Sequence, residues 1–531
     1  MKPILLLLLL VSQLSFAQSD KQILKDIKKS VTFLADDKLE GRRTGTPGER
    51  IAYEFIVENF QKNSIEPIAG IPNYIQDFEV NDGLVYAENC SFKVGNTSYK
   101  LNEDFIPMPY SGNGDFSSGK MLVMYDLGYL ISENKDNPHF DVEEALFQKL
   151  NEMSTHTELI IVYNSSDTAF NYTFDAKNKK QKLASGIIFC NKKIISDIQK
   201  QSENEGPFAH IEISNSKRTG HNVVGHINNN APLTVILGAH YDHLGYGEDH
   251  NSLYVGKEKM IHNGADDNAS GTAALLALSS ILKKSGNKKF NYVFIAFSGE
   301  ELGLYGSKYF VEHTPIDFKN VNYMVNMDMV GRLNDSTHGL TVGGFGTSPA
   351  WGQLINTNDE YFKIKVDSAG SGPSDHTSFY RKDLPVLFFF TGTHSDYHKP
   401  SDDADKINYD GELKIIRYIQ SLIEKTASFD KVSFTKTREA AAMGKSSFKV
   451  TMGIMPDYTF SGNGVKVDGV SDNRPAQKAG VKTGDVIYQL GDFMVSDVET
   501  YMQTLSKFNK GDTTTVKIKR GTEDIKLELT F

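Results

Sequence analysis

Cysteine is almost missing from this 531-residue chain, which holds only Cys90 and Cys190. Two cysteines allow one disulfide or two buried free thiols, since each sits in an apolar strand-like context such as Gly186-Ile187-Ile188-Phe189-Cys190. Neither has the setting of a nucleophile. Long apolar runs are missing too: after residues 4–10 no stretch approaches 18 apolar residues, which argues against membrane insertion of the mature chain. There is no surplus of positive charge. Lys and Arg number 57 against 67 Asp and Glu, a formal net charge of −10 without a basic patch, so nucleic acid is not an expected partner.

The chain does have residues suited to holding metal, spread through its second half. His240, Asp267, Glu301, Asp328 and His398 lie in Ala239-His240-Tyr241-Asp242, Gly264-Ala265-Asp266-Asp267-Asn268, Ser298-Gly299-Glu300-Glu301, Asn326-Met327-Asp328-Met329 and Asp396-Tyr397-His398-Lys399-Pro400. Two dications about 3.5 to 4 Å apart repel one another, so such a centre needs carboxylates, one of them shared. Asp267 is the candidate bridge. With one imidazole and one further carboxylate on each side, every zinc keeps an open position, which is the mark of a catalytic site. Manganese or cobalt suits the same donors.

Glu300 precedes a ligand and projects differently, so its carboxylate stays free to act as general base. Asp242, two residues after His240, is the candidate acceptor for the imidazole N–H. Taken singly, each of these residues could be an ordinary polar loop residue. Asp266 and His376 read as support or substrate-contact groups, and His243, His250, His262 and His394 as loop or solvated histidines.

These motifs resemble the M28 family of zinc aminopeptidases. A histidine with a nearby aspartate, then GADDNASG, GEE, NMDMVG, SDH and a late YH follow one another in order, and Leu34-Ala35-Asp36-Asp37-Lys38-Leu39-Glu40-Gly41-Arg42-Arg43-Thr44-Gly45-Thr46-Pro47-Gly48 resembles the opening segment of such enzymes. The likeness covers about residues 25–428, apart from an insertion. It implies two zinc ions per chain, peptide substrates with a free N-terminus, and hydrolysis by activated water. The family also includes carboxypeptidases and glutaminyl cyclases, so both stay open; a carboxypeptidase would need basic groups, for which Arg332 and Arg381 are the candidates.

Strand-like runs at 233–238, 292–297, 323–327 and 385–390 alternate with helical patterns, including 269–284, and predict an α/β fold with a mostly parallel sheet flanked by helices. Ligands then fall at strand ends. The expected organisation is a signal peptide at 1–17, an N-terminal part of the peptidase domain at 18–85, a small mixed β insert resembling a protease-associated domain at 86–217, a zinc peptidase core at 218–428, a linker at 429–447 and a PDZ domain at 448–531. The insert reads as a lid or as a stabilising appendage.

The signal peptide rests on Met1-Lys2-Pro3, the apolar 4–10 and Ser15-Phe16-Ala17-Gln18, and implies a periplasmic or extracellular location; a retained anchor is the alternative. The PDZ reading rests on Pro475-Ala476-Gln477-Lys478-Ala479-Gly480 and Gly484-Asp485-Val486-Ile487, with the region around Gly453 expected to receive a peptide or protein C-terminus. It could instead be an intramolecular packing module. A PDZ-centred binding protein with a vestigial metal site is the competing class, and Glu300 argues against it.

Overall fold

The computed structural model describes residues 20–437 and 450–531, except 118–121, 136–141, 167–171, 179, 201–205, 250, 255, 257, 286–287, 457–459, 461, 471–473, 497 and 506. The signal peptide and His250 lie outside the described residues. Among those described, no helix is long and apolar enough to cross a membrane.

The chain leaves its first compact unit at Val80 and returns to it at Arg218. That unit is built on a nine-stranded sheet whose centre runs Asn291–Phe297, Thr234–His240, Val321–Met327, Val386–Phe390, all parallel neighbours. Thr234–His240 and Val321–Met327 are buried at every position. Such strands need apolar residues on both faces, which is why they read as near-continuous apolar runs. The sheet is mixed beyond this centre: Ile213–Ile227 pairs antiparallel with Asn291–Phe297, and Gly339–Gly343 antiparallel with Val386–Phe390.

Alternate strand residues serve two cores, as the two-residue repeat of a strand dictates. Val235, Leu237, Phe294, Tyr323 and Val325 pack with Leu275, Leu278 and Leu282 of helix Gly271–Lys284 and Ile415, Ile419 and Leu422 of helix Tyr409–Thr426. On the other face Ile236, Val293, Ile295 and Met324 meet Phe310 and Phe379, from helices Tyr305–His313 and His376–Tyr380. Phe379, Tyr380 and Trp351 are core residues. The segment after helix Tyr409–Thr426 is not a free tether at its start: Val432 N–H donates to Asn322 Oδ1 at 2.8 Å and Phe434 packs beside Tyr380. The polar composition of 428–446 hid these two apolar anchors.

The PDZ-like region forms a six-stranded sheet with Ile454–Pro456 at one edge, around a core of Val465, Val467, Ile487, Leu490, Val516 and Ile518. Arg520 grips the buried Asp485 through Nε and Nη2 at 2.7 and 2.8 Å.

The second unit, Asn81–Lys217, has among its described residues two four-stranded sheets and three helices, Leu127–Glu133, Val142–Ser154 and Lys192–Lys200. Cys90 and Cys190 are both in it, buried and unpaired. Burial pushes the Cys190 thiol up to about 12. The protein unfolded without reductant should therefore take up two alkyl groups by intact mass, whereas a disulfide would leave it unlabelled. In the folded state Cys190 should react only as fast as the unit opens, because its thiolate is scarce at neutral pH.

Candidate metal centre

Carboxyl ends of the parallel strands bring the charged residues together. His240 ends its own strand, Asp328 follows Met327 directly, and Glu300 and Glu301 follow Phe297 through Ser298 and Gly299, whose φ of +69° suits glycine. Asp267 enters from the irregular helical turn Ala265–Ser270, which leads into helix Gly271–Lys284, and its bond to Asn268 is cis. His398 comes from the loop beyond Val386–Phe390.

Asp267 turns its two oxygens to different histidines: Oδ1 lies 3.4 Å from His240 Nε2, and Oδ2 lies 3.3 Å from His398 Nε2. His240 Nε2 is also 3.5 Å from Asp328 Oδ1, and His398 Nε2 is 3.2 Å from Glu301 Oε2. Each imidazole commits its Nδ1–H to a backbone carbonyl, His240 to Asp242 O at 3.2 Å and His398 to Asn251 O at 2.8 Å. A carbonyl can only accept, so Nδ1 carries a proton and Nε2 is the nitrogen that faces the cluster, a donor to the carboxylates when the ring is protonated and free to ligate metal when it is not.

The expected acceptor for His240 was the Asp242 carboxylate, but its Oδ1 is 3.7 Å away and the carbonyl of the same residue takes the bond. The Asp242 carboxylate accepts instead from Glu300 N–H at 3.2 Å and Thr44 Oγ1 at 3.1 Å, holding the strand end that carries both glutamates.

Burial and mutual repulsion set the charges. Burial, with Asp328, Glu301 and Asp375 nearby, raises Glu300 well above the usual carboxylate range, His240 opposing. Burial pushes Asp375 up to about 7, against the charge of His240 and with Asp242 and Asp328 adding to it. Asp267 goes the other way, because hydrogen bonds from His240 and His398 and the charge of His243 overcome its burial. Glu301 falls to about 2, its burial overcome chiefly by His398. Both histidines are raised, His240 by Glu300 and Asp328 and His398 by Glu301 and Asp267, in each case against burial.

The donor set fits divalent metal. Two groups of three, His240 with Asp267 and Asp328, and His243 with Asp267 and Glu301, can each offer ligand atoms within 4.8 Å of one another, and Asp267 is common to both. Cationic charge is what so many buried carboxylates lack.

Two residues escaped the reading of the sequence. His243 is buried rather than solvated; its Nδ1 is 2.7 Å from Glu301 Oε1, and its Nε2 has no partner among the described residues. The i,i+3 spacing from His240 was the available signal. Arg42, in the Leu-Glu-Gly-Arg turn, is fully buried and donates to Tyr241 O at 2.7 Å, Asn263 O at 2.6 Å, Gly264 O at 3.0 Å and Leu34 O. It ties together the loops that carry His240 and Asp267. Burial pulls its guanidinium down to about 10 while Asp242, Asp267, Asp402 and Glu301 hold it up, so it stays charged at neutral pH.

Of the remaining candidates, Asp266 accepts from Gly331 N–H at 2.7 Å and Ser270 Oγ at 3.0 Å and faces His394 Nε2 at 3.2 Å, so it braces the site from behind. His262 is buried against Ser252 Oγ at 2.7 Å. His376 stacks on Phe388 and is held neutral by burial, at about 3.

A cavity of about 790 Å³ opens over His240, Asp267, Glu300, Glu301, Asp328 and His398, with Phe388, Phe390 and Met329 among its walls. Arg332 and Arg381 do not line it; Arg332 pairs with Asp396 at 3.1 Å.

Acids and imidazoles are thus gathered around one shared aspartate at the strand ends of an open α/β sheet, where such sheets place their sites. The chain carries a peptidase family M28 domain over residues 222–423 and a PDZ domain over 432–531. It is 30% identical over 207 residues to aminopeptidase YwaD of Bacillus subtilis, covering 36% of this chain and 42% of that protein. To leupeptin-inactivating enzyme 1 of Streptomyces exfoliatus it is 24% identical over 286 residues, 50% of this chain and 60% of that one. The chain thus spans about half the length of these curated relatives. A solved zinc aminopeptidase from Bacillus subtilis aligns at 19% identity and a TM-score of 0.45, over 77% of this chain and 95% of that one.

Replacing Arg42 with Met would strand four buried carbonyls and remove the counter-charge beneath the carboxylates. The expected loss is at least about 3 kcal/mol of stability by urea unfolding. Arg42→Lys should rescue only part of it, since one ammonium cannot reach the acceptors of a planar fork.

Proposed function

We propose that the chain is an exported aminopeptidase that removes N-terminal residues from peptides, using two zinc ions and Glu300 as general base. The observation that carries this reading is the split of the Asp267 carboxylate between His240 and His398, with the Glu300 carboxylate in the same cavity and hydrogen-bonded to no described residue. His240 and Asp328 would hold one zinc, His398 and Glu301 the other, and Asp267 both. Zinc bound there would polarise the scissile carbonyl and acidify a water.

The remaining work falls to the protein. The Glu300 carboxylate, hydrogen-bonded to no described residue, takes a proton and returns it to the leaving amine. Dications held by the neighbouring ligands would counter the acids that raise its affinity for protons. Among the described residues of the cavity wall, the cation other than the histidines is Lys399, whose Nζ donates to Ser395 O at 2.7 Å. That is a poor receptor for a carboxylate, which favours the aminopeptidase over the carboxypeptidase.

The PDZ domain would capture a peptide or protein C-terminus by adding a strand to its edge strand Ile454–Pro456, beside Gly453 at φ +78°. Export rests on the sequence of residues 1–18.

Peptides offered in free and N-acetylated form should be shortened stepwise from the N-terminus only when free, as read by mass spectrometry. Trimming from the other end, or loss of ammonia from N-terminal glutamine without cleavage, would overturn the proposal. Glu300→Gln should lower kcat by about 10²- to 10⁴-fold, while elemental analysis still finds two zinc ions per chain.

A further inference from the structure

One wall of the cavity carries a charge that the mechanism does not use. Gly343 pairs antiparallel with Phe388, and Val342 pairs parallel with Val366. Asp367 continues that ladder, donating its N–H to Val342 O at 2.9 Å, and so stands beside Gly343. Phe388, Gly343 and Asp367 therefore form one cross-strand row, and all three line the cavity. Adjacent strands are about 4.8 Å apart, so the ring and the carboxylate flank a slot about two strand spacings wide.

The slot is open because its middle residue has no side chain. A Cβ on Gly343 would lie 3.2 Å from Phe388 Cδ1. At one end is an aromatic face, itself backed by the neutral ring of His376. At the other, Asp367 Oδ1 accepts from Ala369 N–H at 3.0 Å, which fixes the carboxylate, and no ion pair among the described residues neutralises it. Outside the metal cluster it is the only acid on the described cavity wall.

From this row we infer that Asp367 makes the pocket selective for peptides with an N-terminal lysine or arginine. The aliphatic stem crosses Gly343 against Phe388, and the terminal cation meets the Asp367 carboxylate. Long basic side chains suit such a pocket because their stems are apolar and only their tips are charged. The inference rests on the aminopeptidase reading and concerns the side chain of the residue released.

The test compares kcat/KM for lysyl, norleucyl and leucyl aminomethylcoumarin amides with the zinc-loaded full-length protein, lysine and norleucine having stems of equal length. Lysine should exceed norleucine by about ten- to a hundredfold, the worth of a hydrogen bond between charged groups in a partly enclosed site. Asp367→Asn, which keeps the acceptor for Ala369, should bring that ratio to within about twofold of unity. Asp367→Lys should reverse the selectivity in favour of a glutamyl substrate. Calorimetry on Glu300→Gln should show the same order without turnover, lysinamide binding more tightly than norleucinamide. Leucyl and norleucyl substrates cleaved as well as lysyl, or a lysine advantage that survives Asp367→Asn, would overturn the inference and leave the aminopeptidase standing. No cleavage of any of the three would overturn the aminopeptidase reading itself.

Discussion

Repulsion among buried carboxylates is the constraint on which the rest of this structure depends. Asp242, Asp266, Asp267, Asp328, Asp375 and Asp402 are all buried around one point, with Glu300 and Glu301 beside them. Two such charges 4 Å apart repel by on the order of 4 kcal/mol at an effective dielectric of 20. No chain could hold eight without compensation, and each is answered differently. Asp402 Oδ2 takes the N–H groups of Asp266 and Asp267 at 2.9 and 3.0 Å, and Asp266 takes that of Gly331. Arg42 supplies the one guanidinium beneath them. Asp267 and Glu301 are held ionised by histidines, whereas Glu300, Asp328 and Asp375 are driven towards their protonated forms. The unanswered charge lies on the cavity side, where cations from solvent can reach it.

That burden explains the architecture around it. Backbone N–H groups can serve as counter-charge only where strands end and their ladder is no longer satisfied. The acids accordingly collect at the carboxyl ends of the parallel strands, while Leu275, Leu278, Phe310 and Phe379 close the two faces of the sheet that presents them. Two fully buried cores, one on each face, hold the strand ends, and the charged groups on them, rigidly in place.

How much of this was legible depended on range along the chain. Thr234–His240, Asn291–Phe297 and helix Gly271–Lys284 declare themselves through local periodicity, and each proposed ligand sits in a short motif at the end of such an element. What could not be read is what distant segments do to one another. Arg42 looks like any surface arginine until Tyr241, Asn263 and Gly264 fold over it. His243 reads as a loop residue because nothing near it in sequence reveals Glu301 at 2.7 Å. The antiparallel edges of the sheet were hidden for the same reason: direction is a property of pairing, and the pattern of burial does not record it. The PDZ-like strand Thr513–Arg520 differs, since it pairs antiparallel with the next strand, Glu523–Thr530, across a short turn and its pairing is local.

The site also divides its labour along the chain. Groups placed to hold metal or move protons come chiefly from the ends of Thr234–His240, Asn291–Phe297 and Val321–Met327, whereas the walls that meet a side chain come from Gly339–Gly343, from Val386–Phe390 and from Asp367, which follows Lys363–Val366. On the proposed reading, chemistry and selection occupy neighbouring halves of one sheet, joined where Asp328 N–H donates to Phe389 O at 3.2 Å. A substitution at Gly343, Asp367 or Phe388 changes the shape or charge of a wall without disturbing the balance of carboxylates, because none of the three contributes a ligand atom. A substitution among the acids cannot be so contained: each is coupled to several others, and removing one shifts the protons of all.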